Sequence, residues 1–210
     1  MSKGYKVLYF LLAPLIRLIF GVKVIAPENE PEAERALIVA ANHISAADPV
    51  LVCASLKRHQ PRYMAKKSLF KIPLLKQLIT AFGAFPIDRT GSALGAIKTS
   101  IALLEEGKCL GIFPQGHRYP GVDPRGTELK KGVGMIEQHV KVDILPVSIK
   151  TKNYRCPFLR RTYVIIGEPI PYSDFKLTDD LNSSAVYSAI SEQVFDRICA
   201  LGENFDPKQS

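Results

Sequence analysis

Apolar and polar positions along this chain come in short blocks whose period switches between two and about three and a half. Ile38-Val39-Ala40-Ala41 is an unbroken apolar run, which reads as a strand buried on both faces. Similar runs predict strands near 36–41, 62–65, 109–113, 144–149 and 162–167. Between them lie helix-period segments near 49–57, 73–81, 92–106, 133–139 and 184–201. The segment 92–106 carries Ser92 as a cap, Leu94, Ile97, Ile101 and Leu104 on one face, and Gly107 as its stop. Val186, Ile190, Val194 and Ile198, four apart, give the last helix a core-facing stripe. Strands alternating with helices predict an α/β fold with a largely parallel sheet.

The polar turn after the first of these strands holds the most pointed chemistry. Asn42-His43-Ile44-Ser45-Ala46-Ala47-Asp48-Pro49 places a carboxylate five residues after a histidine. On one regular helix that spacing is about 500° of rotation, so the two side chains would face apart. Proline favours the first helical turn and holds the preceding residue extended. Asp48 is therefore expected to cap a helix opening at Pro49, with His43 on the turn before it. Two readings follow. Asp48 orients His43 as a general base, or it is only a cap beside an incidental histidine. No Gly-x-Ser-x-Gly elbow is present, so a base here would act on a substrate hydroxyl.

Further segments follow in order: Lys66-Lys67-Ser68-Leu69-Phe70-Lys71-Ile72-Pro73 leading to Gly83-Ala84-Phe85-Pro86-Ile87-Asp88-Arg89, then Phe113-Pro114-Gln115-Gly116-His117-Arg118, then Ile144-Leu145-Pro146-Val147-Ser148. With Asn42, His43 and Asp48, these resemble the four blocks of the lysophosphatidic acid (1-acylglycerol-3-phosphate) acyltransferase family, from about Ala36 to Pro171. Asn-His-x-x-x-x-Asp is matched in full, the second block by Ile87, Asp88 and Arg89, and the fourth by Pro146. The third block departs: Gln115 stands where the family has glutamate and His117 where it has threonine, while Pro114, Gly116 and Arg118 remain.

The resemblance implies a single mixed sheet surrounded by helices, with the histidine turn at a strand end. It implies acyl transfer from acyl-CoA or acyl-carrier protein to a lysophospholipid hydroxyl. His43 and Asp48 would be catalytic. Arg89, Gln115, Gly116, Arg118 and Lys131 would bind substrate, because guanidinium forks suit an acceptor phosphate. Gly132 and Gly134 would open a helix that adds N–H donors near it. Leu74 to Ile79 would line an acyl channel or pack in the core. The altered third block leaves open a different lysolipid acceptor, or a lipid-binding relative without activity.

Charge sharpens this picture. The chain of 210 residues is 47% hydrophobic and 23% charged, with a net charge of +8, ordinary usage for one domain with a sizeable core. A basic protein is drawn to anionic lipid and to nucleic acid. No RNP-like, zinc-finger or helix-turn-helix signature accompanies the charge, so a membrane surface, not nucleic acid, is the expected partner. Lys3, Lys6, Arg17 and Lys23 are the only charges before Glu28. The uncharged run Val7 to Ile16 between them would span only about 15 Å as a helix, against a bilayer core of about 30 Å.

Residues 1–27 are therefore read as an amphipathic helix lying on the cytoplasmic face of the cell membrane. Tyr5, Tyr9, Phe10 and Phe20 would sit at headgroup level; a helix of the soluble core is the alternative. Residues 28–210 would then form the catalytic domain that the resemblance implies. No small-x-small cleavage site follows the apolar run. Cys53, Cys109, Cys156 and Cys199 form no C-x-x-C and read as small hydrophobes in a reducing compartment. His59 and His139 are isolated, and neither a metal nor a cofactor is expected.

Overall fold

A computed structural model describes residues 3–32, 35–87, 93–156, 158–178 and 181–208. Helix α1 (Lys3–Ile19) leads into strand β1 (Val22–Ile25), followed by β2 (Leu37–Ala41), α2 (Asp48–Ser55), β3 (Arg62–Lys66), α3 (Pro73–Ala81) and β4 (Phe85–Ile87). Then come α4 (Ala93–Glu105), β5 (Cys109–Ile112), α5 (Gly132–Val140), β6 (Ile144–Lys150), β7 (Thr162–Ile166) and α6 (Ser183–Glu203). The strands form one sheet in the order β1-β7-β6-β2-β5-β3-β4. Every pairing is parallel except β6 with β7, so the sheet is mixed and largely parallel.

β2 lies at the centre, and all five of its residues are buried. Its side chains alternate between faces. Leu37, Val39 and Ala41 pack with Tyr5 of α1 and with Leu51 and Val52 of α2. Ile38 and Ala40 pack with Leu104 of α4, Val133 and Ile136 of α5, and Ile190, Val194 and Ile198 of α6. A parallel sheet covered on both faces needs such an unbroken apolar strand.

Two strands, β1 and β4, lie outside the strand runs that the sequence pattern predicts. β1 is four residues long and carries Lys23, so neither length nor alternation marks it; pairing with β7 makes it a strand. β4 has three residues with Pro86 in the middle, which is tolerated because β4 is an edge. Gly21 makes the turn from α1 into β1 at φ +53°, where an added Cβ would stand 2.6 Å from the Arg160 carbonyl oxygen. Only glycine fits that combination.

α1 is shorter than residues 1–27, because Val22 to Ile25 belong to the sheet. Its inner face docks on α2: Arg17 Nε donates to the Ala54 carbonyl at 2.8 Å and Arg17 Nη2 to Tyr9 Oη at 2.7 Å. Tyr5 is only 2% exposed and packs edge-on against Phe82, so it is a core residue and not a headgroup-level aromatic. Val7, Phe10, Leu11, Leu15 and Leu18 of the same helix are exposed. Among the described residues no helix is long and apolar enough to cross a membrane.

His59 is no bystander. It is buried beside the buried Glu30, whose carboxylate accepts the N–H groups of Lys57, Arg58 and His59 and meets His59 Nδ1 at 3.1 Å. Burial pushes the Glu30 carboxyl up, but these hydrogen bonds outweigh it and hold it below the ordinary range. All four cysteines are free thiols, three of them buried.

Candidate active site

The carboxyl ends of parallel strands are where open α/β sheets bind ligands, and the distinctive blocks converge there. β2 ends at Ala41 and runs into the histidine turn, and its neighbour β5 ends at Ile112 and runs into Phe113-Pro114-Gln115-Gly116. Asn42 continues the β2–β6 pairing with its side chain: Nδ2 donates to the Ile149 carbonyl at 3.0 Å, and Oδ1 accepts the Ile149 N–H at 2.7 Å. The turn therefore leaves a fixed strand end.

Asp48 is the first residue of α2 and does not cap it; Ala47 occupies that position without a side-chain bond. Its carboxylate turns back onto the preceding loop instead. Oδ2 accepts the Ile44 N–H, the Ser45 N–H and His43 Nδ1, each at 2.7 Å. Asp48 is fully buried, and Oδ1 makes no hydrogen bond among the described residues. Because Oδ2 is an acceptor for two backbone donors, His43 Nδ1 carries the hydrogen and Nε2 keeps a free lone pair. His43 is 15% exposed and lines a cleft of about 260 Å³ together with Pro49, Tyr63, Met64, Ile87 and Phe113.

Two aromatic rings fix the plane of the imidazole. His43 stacks on Phe113 at 3.9 Å and 10°, and Phe113 on Tyr63 at 5.1 Å and 18°. Gly111 makes room for this stack, since a Cβ there would lie 2.4 Å or less from two carbons of the Tyr63 ring. Tyr63 and Phe113 carry no local mark of this role in the sequence; a glycine at 111 inside the β5 strand pattern is the signal that points to the close approach.

Gln115 is fully buried and does not line the cleft. Its Oε1 accepts the His43 N–H at 2.5 Å and its Nε2 donates to Thr127 Oγ1 at 2.8 Å. Thr127 Oγ1 in turn donates to the Pro124 carbonyl, which also accepts the Thr127 N–H. A hydroxyl can donate or accept by rotating. The same Thr127 hydroxyl could therefore serve a carboxylate at position 115 by donating to it. The Tyr119 N–H donates to the His43 carbonyl at 2.9 Å, so the segment 113–119 holds the histidine backbone from both sides.

The expected substrate-binding residues divide. Gly116 lines the cleft at φ +73°, and an added Cβ there would stand 2.9 Å from Lys130 Cγ. Arg118 is exposed on the same loop and makes no side-chain hydrogen bond or ion pair among the described residues. Lys131 precedes α5 and its Nζ donates to Ser184 Oγ at 2.8 Å, toward α6. Asp88, Arg89 and Ser92 lie outside the described residues. Leu74 and Leu78 of α3 are exposed, so that helix does not supply core packing there. No cluster of metal-binding side chains occurs among the described residues.

The profile of the acyltransferase family matches residues 21–150. The 1-acyl-sn-glycerol-3-phosphate acyltransferase of Bacillus subtilis is 32% identical over 204 residues, covering 96% of this chain and 98% of that protein. The enzyme of the same name from Streptococcus pneumoniae is 32% identical over 166 residues, covering 78% of this chain and 61% of its own length. The crystal structure of the 1-acyl-sn-glycerophosphate (LPA) acyltransferase PlsC from Thermotoga maritima superposes with a TM-score of 0.64 at 24% identity, covering 92% of this chain and 78% of that one. That likeness concerns the fold. With the strand-end histidine turn and the matched relatives together, the chain belongs to the acyltransferase family.

Proposed function

We propose that this protein transfers an acyl group from a thioester, acyl-CoA or acyl-carrier protein, to the free hydroxyl of 1-acyl-sn-glycerol-3-phosphate, giving phosphatidic acid for phospholipid synthesis. The names of the matched relatives support the acceptor. The observation that carries the chemistry is the 2.7 Å contact of His43 Nδ1 with Asp48, which leaves Nε2 basic in a residue that lines the cleft.

In this reading Nε2 takes the proton of the acceptor hydroxyl as its oxygen attacks the thioester carbonyl. Asp48 stabilises the imidazolium that forms. The tetrahedral oxyanion collapses, the carbon–sulfur bond breaks, and the imidazolium returns its proton to the departing thiolate. Proton transfer of this kind is typically worth about 10²–10⁴ in rate. Gln115 and Phe113 are positioning residues that hold the backbone and ring of His43. Arg118 on the cleft-side loop, with Arg89, pairs with the acceptor phosphate, and Lys131 adds positive charge at the start of α5.

The site works at the cytoplasmic face of the membrane, on which α1 lies through Val7, Phe10, Leu11, Leu15 and Leu18. At 17 residues α1 is about 25 Å long, an interfacial rather than a spanning length. An acceptor panel with purified enzyme and mass detection of product tests the assignment. Phosphatidic acid as the main product supports it; turnover confined to another lysolipid would move the acceptor, and His117 beside Arg118 would be the first residue to question.

A further inference from the structure

The loop joining β6 to β7, residues 151–161, carries an exposed apolar tip among basic residues. Phe158 and Leu159 at its tip are 71% and 80% exposed. Around them stand Lys152, Arg155, Arg160 and Arg161, all exposed, and none makes an ion pair among the described residues. No acidic residue occurs between Asp143 and Glu168. Two side-chain-bearing residues of the loop, Tyr154 and Leu159, adopt left-handed backbone at φ +52° and +57°, a conformation that persists only where surrounding contacts impose it.

Those contacts run to two places. On one side, the Leu159 N–H donates to the Ile19 carbonyl at 2.7 Å, and Phe158 stacks on Phe20 at 5.2 Å, so the tip is fastened to the end of α1. On the other, the Gly121 N–H donates to the Tyr154 carbonyl at 2.8 Å and Tyr154 Oη donates to Asp123 at 2.9 Å. Gly121 and Asp123 follow directly on the Gln115–Tyr119 segment that holds His43. The loop thus bridges the C-terminal end of α1 and the wall of the active site.

We propose that this loop is a second membrane contact, in which Phe158 and Leu159 enter the interface of an anionic bilayer and the flanking guanidiniums bind lipid phosphates. An apolar tip with a cationic rim and no acidic residue has the chemistry of that interface. With α1 it makes two points of attachment, which fix the angle at which the cleft meets the bilayer. The inference rests on the reading that the acceptor is a membrane lipid.

The test is co-sedimentation with phosphatidylglycerol–phosphatidylcholine vesicles, paired with turnover of a short-chain, water-soluble acceptor. Replacing two cations, Arg160→Gln with Arg161→Gln, is expected to lower partitioning roughly thirtyfold. Phe158→Ser with Leu159→Ser is expected to lower it at least about tenfold. Both variants are expected to raise the apparent KM for vesicle-borne acceptor and to leave kcat on the soluble acceptor unchanged; the arginine pair is expected to keep the wild-type melting temperature, and the Phe158 pair, which loses the stack on Phe20, to fall by no more than about 5 °C. Unaltered partitioning of both variants overturns the proposal, as does wild-type protein that ignores anionic vesicles. Failure of wild-type turnover on the soluble acceptor would count against the catalytic reading instead.

Discussion

In the proposed mechanism Asp48 serves two purposes that substitution can separate. Its Oδ2 is the common acceptor for Ile44 N–H, Ser45 N–H and His43 Nδ1, in a fully buried position. Asp48→Ala leaves all three donors without an acceptor, and each buried orphan costs about 1–3 kcal/mol. Ser45 and His43 are partly hydrated, so the sum is about 2–6 kcal/mol, a fall in melting temperature of roughly 5–20 °C for a chain of this size. Asp48→Asn, with its amide oxygen in the place of Oδ2, keeps a neutral acceptor for the same donors. It removes the charge that the proposed mechanism uses to stabilise the imidazolium, and sets an amide NH2 without an acceptor at the Oδ1 position, a single orphaned group against three in the Ala variant. Its melting temperature is expected within about 5 °C of wild type, while thioester turnover falls roughly 10²–10³-fold. Calorimetry beside a thiol-release assay gives both numbers. An Asn variant with wild-type turnover would refute the electrostatic role, and an Ala variant that melts with wild type would refute the structural one.

Gln115→Leu removes the acceptor of the His43 N–H, and kcat/KM is expected to fall roughly ten- to hundredfold. Gln115→Glu is expected to stay within about tenfold of wild type, because the Thr127 hydroxyl can rotate to donate; equal losses in the two variants would refute that account. Burial, which the Val142 N–H offsets only in part, together with the charge of Asp143, pushes the Glu137 carboxyl up to about 8. A carboxyl raised in the fold contributes stability below its unfolded pKa of about 4.3, and that contribution is lost as pH rises toward 8. Glu137→Gln is therefore expected to be the more stable protein at pH 8, by up to about 4 kcal/mol, with the difference vanishing near pH 4. Urea unfolding across that range checks it, and parallel pH profiles would contradict it.

Local patterns marked the elements whose signals are local. The apolar run 37–41, the Pro49 and Pro73 helix starts and the four-apart stripe of α6 all lie where the chain pattern puts them. What escaped depends on partners distant in the chain. β1 is a strand because β7 lies beside it, and Tyr5 is buried because α2 and Phe82 cover it. Glu30 and His59, 29 residues apart, form a buried pair that neither neighbourhood announces. The spacing of His43 and Asp48 showed that they can meet, but a helix cap and a three-donor carboxylate look alike in sequence. Gln115 read as a substrate ligand because its block is a binding block; its burial against His43 turns it into a brace.

In the proposed mechanism His43 is the base of an acyl transfer to a lysophospholipid hydroxyl. The decisive experiment is thioester consumption by purified protein in detergent, with 1-acyl-sn-glycerol-3-phosphate as acceptor and His43→Ala alongside. Phosphatidic acid is expected from the wild type, and none above background from a variant that folds and binds vesicles normally. Turnover retained by that variant would contradict the mechanism.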